Sequence, residues 1–377
     1  MTAPDALALL RDELDGLDRG LVDLVARRLE VVARIGQAKA DGDRPVRDLV
    51  RERAVLDRAE ALARERGAPP ELVRRVFREV IGHAVDRQAG ALLALPPEPV
   101  EVAVVEGDTT AASAARKHLS GLGVRGGATP RRSARAVVAA VEQGECALGV
   151  LPVETSASGG VGGLLELLER STLSVVGEEV WRVEHCLVAG SALDDVQEVV
   201  AAAADADACS GFLAASPRTA LLTAGSAAEA LRLLVGAPAR AALVPVDAVP
   251  ATGLVVLRRD VGDQRENVTR LLVLAREPVA VPPRVPCKTS LRLVTPHAEG
   301  ALLRCLQVLS DAGLTLTRLE SHPVAGRPFE YAFSVDVEGN VADPVTAAAI
   351  DRLRAVAASV RVLGSYPAKV LHADAGD

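Results

Sequence analysis

The stretch 21-LVDLVARRLEVVARIGQAKADGDRPVRDLVRER-53 decides the fold of the amino-terminal region. With the residues before it, Leu7, Leu10, Leu14, Leu17, Leu21, Leu24, Arg28, Val31, Ile35 and Lys39 recur at spacings of three and four. That is the period of a helix with one packed face. No proline lies between Asp5 and Ala40, so one helix about 50 Å long is predicted. A short domain has too little surface to cover such a seam, and a helical dimer follows as the expectation. Arg28 and Lys39 occupy seam positions where leucines belong. Two cations on a packed face imply either side chains that snorkel to water or an anionic partner.

Pro45 in 41-DGDRP-45 ends the run, and a second helix is predicted from near Asp48. It places Asp48, Glu52, Val55, Ala59 and Leu62 on one face, with Arg51 one step aside. After 67-GAPP-70 a third helix carries Val73, Phe77, Val80, Ala84 and Gln88. Any one of these polar residues serves as well in a solvated ion pair. Together they read differently. Several cations, an Asp/Glu pair and an amide in one pocket suit a compact dianion that carries a hydroxyl group.

The chain has 377 residues, enough for two to four domains, and 49% of them are apolar, which favours globular structure over disorder. Aromatic residues are 2%, so the cores are built from Leu, Val and Ala. A formal charge of -7 gives no support for nucleic-acid binding. Cys146, Cys186, Cys209, Cys287 and Cys305 are odd in number and lack metal-ligand spacing, so unpaired thiols in a reducing compartment are expected, with no metal site. No apolar run reaches the roughly 18 residues of a spanning helix. The expectation is a cytoplasmic protein without membrane association.

Pro96, Pro97 and Pro99 mark a linker. Beyond it, strands are predicted at 101–105, 146–155, 173–179, 183–190, 219–225 and 241–247, and helices at 163–170, Val199 to Leu213 and Ala227 to Leu234. This alternation predicts an α/β architecture. After 282-PPRVP-286 the order strand 288–295, helix 298–313, strands 314–321 and 330–338, helix 344–358 and strand 360–364 makes a β-α-β-β-α-β unit.

The first segment, through 36-GQAK-39 and 45-PVRDLVRER-53, resembles the all-helical chorismate mutase domain at the amino end of chorismate mutase and prephenate dehydratase fusion proteins. The resemblance implies an intertwined dimer in which Arg11 enters the partner's site. It implies that Arg28 and Arg51 hold the substrate carboxylates, that Lys39 and Gln88 face the ether oxygen, and that Asp48 and Glu52 lie near the ring hydroxyl. Ala84 stands where that family often has serine. The implied reaction, chorismate to prephenate, needs no cofactor: the site holds the reactive conformer and favours negative charge on the departing oxygen.

The landmarks 151-LPVETSASGG-160, 176-VGE-178, 183-VEHCLV-188 and 267-NVTRLLVLAR-276 resemble the two-lobed prephenate dehydratase domain. The resemblance assigns the leaving hydroxyl to Thr269 and a carboxylate to Arg270, with Leu271 in place of the family's phenylalanine. Other positions depart further: 106-EGDTTAAS-113 replaces a Gly-rich Ser/Tyr segment, Glu154-Thr155-Ser156 replaces Glu-Asn-Thr, 201-AAAAD-205 replaces a polar run, and Ala224-Gly225-Ser226 replaces a Ser/Thr turn. Alanine and glycine side chains donate no hydrogen bonds. The sequence therefore predicts that the polar lining is lost and that this domain is an inactive dehydratase-like remnant, with Glu154, Thr269 and Arg270 as its residual site.

The carboxyl-terminal unit resembles the ACT domain of prephenate dehydratases. Gly300, Ala301 and Leu302 match a Gly-Ala-Leu motif, and 319-LESHP-323 matches Glu-Ser-Arg-Pro with His322 in place of arginine. The resemblance implies phenylalanine binding that involves Gly300, Ala301, Leu302, Glu320, Ser321 and Pro323.

The resulting expectation is a multidomain homo-oligomer, at least a dimer. It comprises a three-helix chorismate mutase domain (1–92), a two-lobed α/β dehydratase-like domain (100–280) and an α+β ACT domain (287–368). It acts on chorismate to give prephenate, without a cofactor, and has phenylalanine as effector. The alternatives are a bifunctional mutase and dehydratase that makes phenylpyruvate, and a noncatalytic amino-acid-binding regulator.

Overall fold

The computed structural model describes residues 3–40, 49–90, 99–156, 159–161, 163–190, 196–215, 219–249, 253–264, 267–283, 285–324 and 331–369. It divides into two compact units, the first made chiefly of the amino-terminal helices and the second of the remaining strands and helices. Among the described residues no helix is long and apolar enough to cross a membrane.

The first unit contains α1 (Ala3–Ala40), α2 (Leu49–Glu65) and α3 (Pro70–Gly90). The uninterrupted seam does form a single helix. Gly67 takes the left-handed conformation just past α2 (φ 71°), and Pro70 opens α3, where a missing N–H costs nothing. α3 packs against both α1 and α2. The unit buries little: among its described residues Leu56, Ala59, Ala63 and Ala84 form the buried apolar set, whereas Leu10, Leu14, Leu17, Leu21 and Leu24 are 56% to 67% exposed. Each such leucine forgoes about 1.5–3 kcal/mol relative to burial.

The second unit begins with β1 (Val100–Val105), α4 (Thr109–Leu122), β2 (Gly126–Arg131), α5 (Ala134–Glu142), β3 (Leu148–Thr155), the two-residue β4 (Gly159–Gly160), α6 (Leu164–Arg170) and β5 (Ser174–Arg182). The chain then crosses to a second lobe of β6 (His185–Ala189), β7 (Glu198–Ala202), α7 (Ala203–Ala208), α8 (Ser210–Ala214), β8 (Ala220–Ala224), α9 (Ala227–Arg232), β9 (Arg240–Pro245) and β10 (Val255–Arg259). It returns to the first lobe as β11 (Val268–Ala275). The first sheet has the order β2-β1-β3-β11-β5 with β4 beside β3, and the second β10-β6-β9-β7-β8. In the first, β1 runs parallel to β2 and β3, and β11 lies antiparallel between β3 and β5.

One element differs from its prediction. Residues 199–202 are not the start of a helix but most of β7, which pairs in parallel with β8 and β9. The Ala-rich composition favours helix, yet Val199 and Val200 are buried in the sheet, and burial of a β-branched pair overrides the local propensity.

β11 has two faces. Leu271 and Val273 pack with Ala111, Ala114, Ala115 and Leu119 of α4. Leu272 and Leu274 pack with Val137 and Val141 of α5 and with Leu363 and Tyr366 from near the carboxyl end. Those two residues belong to the last subdomain, β12 (Cys287–Val294), α10 (Ala301–Asp311), β13 (Leu316–Pro323), β14 (Tyr331–Glu338), α11 (Pro344–Val356) and β15 (Ser359–Pro367), whose antiparallel sheet has the order β13-β14-β12-β15. This is the β-α-β-β-α-β arrangement read from the sequence. β15 lies against β5 so closely that a Cβ at Gly364 would collide with the Val175 carbonyl. Arg361 donates to the carbonyls of Leu168 at 3.1 Å and Ser171 at 2.7 Å.

All five cysteines are buried and unpaired. Burial, with the Asp205 and Asp263 charges, pushes the Cys209 thiol up to about 12, and burial pushes the Cys287 thiol up to about 12. Both stay protonated near neutrality and lack thiolate character. Ellman's reagent is therefore expected to titrate no thiol in native protein and all five in guanidinium; fast reaction of even one native thiol contradicts the packing described here.

Candidate functional sites

Of the residues expected in the mutase pocket, Asp48 lies outside the described residues, as do the side chains of Lys39, on α1, and Gln88, on α3. Arg11 is exposed on α1, Arg51 is exposed on α2, and Glu52 is half-buried in the first turn of α2. Ala84 is buried. Arg28 is the informative residue. It is half-buried, and its Nη1 is shielded from solvent with no hydrogen-bond partner among the described residues. Desolvation lowers its pKa below the ordinary arginine value. A guanidinium with one nitrogen shielded from water and left without a partner gains from a carboxylate placed there.

In the α/β unit the structure brings Glu154 and Arg270 together: they are register neighbours on β3 and β11, with Arg270 Nη1 3.8 Å from Glu154 Oε2. Thr269, 8% exposed, falls by strand alternation on the α4 face of β11. Arg270 points the other way, where it donates to Glu178 Oε2 at 2.7 Å, Asp336 Oδ2 at 2.6 Å and Tyr366 Oη at 3.0 Å. Desolvation opposes its charge, but Asp336, Tyr366 and Glu178 outweigh it and hold the guanidinium pKa above the ordinary value.

Polar groups that the sequence reading missed sit in the segments it treated as emptied. In 106-EGDTTAAS-113, Asp108 accepts a hydrogen bond from the Ala111 amide at 2.8 Å at the start of α4. In 201-AAAAD-205, Asp205 accepts from or pairs with His185 Nε2 at 3.0 Å. Burial raises the Asp108 carboxyl above the usual range, the Ala111 and Thr110 amides oppose it, and the charge of Asp205 on the facing lobe adds to the rise. A carboxyl held neutral to higher pH can give a proton to a leaving hydroxyl. Spacing could have drawn attention to Asp108 as a helix cap, but its meeting with Asp205 depends on the two lobes.

In the last subdomain Gly300 takes a left-handed conformation (φ 67°) at the start of α10, Ala301 is buried and Leu302 follows it. Glu320, Ser321 and Pro323 lie on β13, where Arg318 pairs with Glu320. Phe329 lies outside the described residues, and Tyr331 is exposed at the start of β14. Among the described residues no cluster of His, Cys, Asp or Glu is arranged to hold a metal ion.

Fold and sites together define a three-part protein: an all-helical chorismate-mutase-like domain, a two-lobed α/β dehydratase-like domain and an ACT-like α+β domain. Comparison with known proteins matches the first two of these parts. Family models described as Chorismate mutase type II and Prephenate dehydratase match residues 10–89 and 109–279. The chain is 31% identical over 98% of both chains to a bifunctional chorismate mutase/prephenate dehydratase of Escherichia coli (strain K12). It is similar to a solved prephenate dehydratase of Arthrobacter aurescens in complex with L-Phe, with 26% identity and TM-score 0.65 over 71% of this chain and 90% of that one. It is also similar to GqqA, described as a novel type of quorum quenching acylase, with 29% identity and TM-score 0.62 over 71% of this chain and 98% of that one. The chain belongs to the bifunctional chorismate mutase/prephenate dehydratase family, with a small ACT-like domain at its carboxyl end.

This corrects the expectation of an inactive dehydratase-like remnant, since relatives matched from end to end are bifunctional enzymes. The physical reason lies in where the substitutions fall. The segments at 106–113, 201–205 and 224–226 are the starts of α4, α7 and α9. Polar side chains remain there: Asp108 caps α4, Ser226 caps α9 through the Glu229 amide, and Asp108 and Asp205 keep carboxyl groups close enough across the two lobes for one charge to act on the other.

Proposed function

We propose that this protein carries out two successive reactions, chorismate to prephenate in its helical domain (1–92) and prephenate to phenylpyruvate in its α/β domain (100–280), with phenylalanine acting on the ACT domain (287–368). The observation that carries this reading is the match to a bifunctional enzyme over 98% of both chains. The exposed leucine seam of α1 and the family together support an intertwined dimer in which Arg11 completes the partner's mutase site. In that site Arg28 and Arg51 hold the substrate carboxylates, and Asp48 and Glu52 face the ring hydroxyl and the neighbouring cations. Lys39 and Gln88 tighten on the ether oxygen as its C–O bond breaks and the new C–C bond forms.

In the second reaction the ring carboxylate leaves as carbon dioxide. Its bonding electrons enter the ring, and the ring hydroxyl departs as water after taking up a proton. Thr269 contacts that hydroxyl, and Asp108 is the nearby carboxyl suited to supply the proton. Glu154 lines the same end of β3. Phenylalanine is proposed to bind through the Gly300-Ala301-Leu302 and Glu320-Ser321-Pro323 segments.

The test is a time course on purified full-length protein given chorismate, with chorismate, prephenate and phenylpyruvate resolved. Prephenate is expected to rise and then fall as phenylpyruvate appears above the acid-catalysed background. Prephenate that accumulates without further conversion rejects the second activity, and unchanged chorismate leaves only a noncatalytic regulator.

A further inference from the structure

We propose that Asp336, together with Glu178, is a positioning residue of the dehydratase site that acts through Arg270, so that the ACT-like sheet holds the strand bearing Thr269. The inference rests on the dehydratase reading above and deepens it.

Arg270 spends its guanidinium on the protein itself. Its Nε, Nη1 and Nη2 are each committed, to Glu178 on β5, Asp336 on β14 and Tyr366 on β15. The groups that hold these partners are themselves engaged. Ser290 Oγ donates to Asp336 Oδ1 at 2.5 Å and lies 2.7 Å from Tyr366 Oη, while Lys288 Nζ reaches the Glu178 oxygens at 2.9 and 3.0 Å. Glu178 is 1% exposed, Asp336 3% and Arg270 9%. Arg270 and Lys288 face the buried carboxylates Glu178 and Asp336, with the more exposed Glu154 at the edge, and neutralising either buried carboxylate leaves a cation short of its partner in low dielectric.

A guanidinium engaged on three sides is poorly placed to take a substrate carboxylate, but well placed to fix its own strand. Thr269 immediately precedes Arg270 on β11 and projects to the opposite face. Any twist or slip of β11 that relieves Arg270 therefore re-aims Thr269 directly.

A second link runs beside the first. Arg318 on β13 has its Nε 3.8 Å from Glu154 Oε2 and pairs with Glu320. Glu320 in turn lies against Gly160, where an added Cβ would collide with its carboxylate. Both Glu154 and Arg270 are therefore held from the ACT-like sheet, by β13 and β14. Glu320 belongs to the segment proposed to bind phenylalanine, so a ligand there bears on the same strands.

The experiment uses full-length Asp336→Asn and Glu178→Gln, with Tyr366→Phe as a milder variant that removes one hydrogen bond and no charge. Dehydratase kcat and KM are measured on supplied prephenate, with and without phenylalanine, and mutase turnover on chorismate serves as the internal control. The expected result is a fall of about tenfold or more in dehydratase kcat for the two carboxylate variants, since small misplacements of reacting groups are that costly. KM should stay within about twofold, the mutase rate should be unchanged, and the response to phenylalanine should be blunted. Tyr366→Phe is expected to act in the same direction by about threefold, which keeps the test decisive if a charge variant fails to fold.

A rise in KM at constant kcat would instead make Arg270 a binder of substrate and overturn the proposal. Unchanged dehydratase kinetics in folded variants, or equal losses in both activities with a lowered Tm, overturn it too. Wild-type protein that does not consume prephenate removes the dehydratase reading itself, an outcome distinct from active wild type with indifferent variants.

Discussion

Arg28→Ala is expected to slow prephenate formation from chorismate by about 10²- to 10³-fold, the scale of losing a preorganised hydrogen-bond donor to the reacting substrate. In the same protein, turnover of supplied prephenate should stay at the wild-type rate. The argument is electrostatic. Arg28 Nη1 is shielded from solvent and lacks a hydrogen-bond partner among the described residues, and desolvation already disfavours the cation. A substrate carboxylate satisfies the orphaned N–H and offsets that cost, and the alanine variant forgoes both gains. Arg28→Lys keeps a charge but loses the planar fork, so it should restore only part of the rate. Lys39→Ala is expected to act in the same direction, through the ether oxygen. A folded Arg28→Ala protein with mutase kinetics within twofold of wild type would falsify the pocket assignment.

In the proposed dimer, Leu17→Asp combined with Leu21→Asp is expected to separate the two chains and abolish mutase activity with them. Both leucines are more than half exposed in the single chain, at 65% and 57%. Two leucines in each of two chains place about 6–12 kcal/mol of burial at stake, before the cost of desolvating four carboxylates is added. A loss of that size weakens a nanomolar dimer by at least about 10⁴-fold, into the range of roughly 10 μM or weaker. Sedimentation should show half the wild-type mass, and Arg11 would no longer reach a partner's pocket. A variant that keeps wild-type mass and mutase rate would mean that this face of α1 has another use. A seam buried in a dimer should also make mutase activity in the wild type fall on dilution through the dissociation constant.

Reading the chain in order recovered most elements and left specific gaps. The helices α1, α2 and α3, the strands β1, β3, β5 and β6, and the whole β-α-β-β-α-β subdomain were legible, because periodicity and Pro/Gly punctuation are local signals. The sheet position of 199–202 was not, since an alanine-rich run bears no mark of the neighbours that bury it. The same blindness misjudged the dehydratase-like domain. Side-chain losses at 106–113 and 201–205 looked like erosion, because a linear reading does not show that Asp108 of one lobe and Asp205 of the other come close enough for their charges to interact.

The sequence by itself determined the three-part organisation, the leucine seam that calls for a partner and the cations interrupting it, because each of these is written in residues a few positions apart. Only the tertiary structure decided what Arg270 does. Its partners Asp336, Glu178 and Tyr366 lie 66, 92 and 96 residues away in the chain. They come together only because β15 packs on β5 and carries the ACT-like sheet to the back of β11. Long-range ion pairing leaves no periodic trace along a chain, since it is set by which surfaces meet after the local elements have formed.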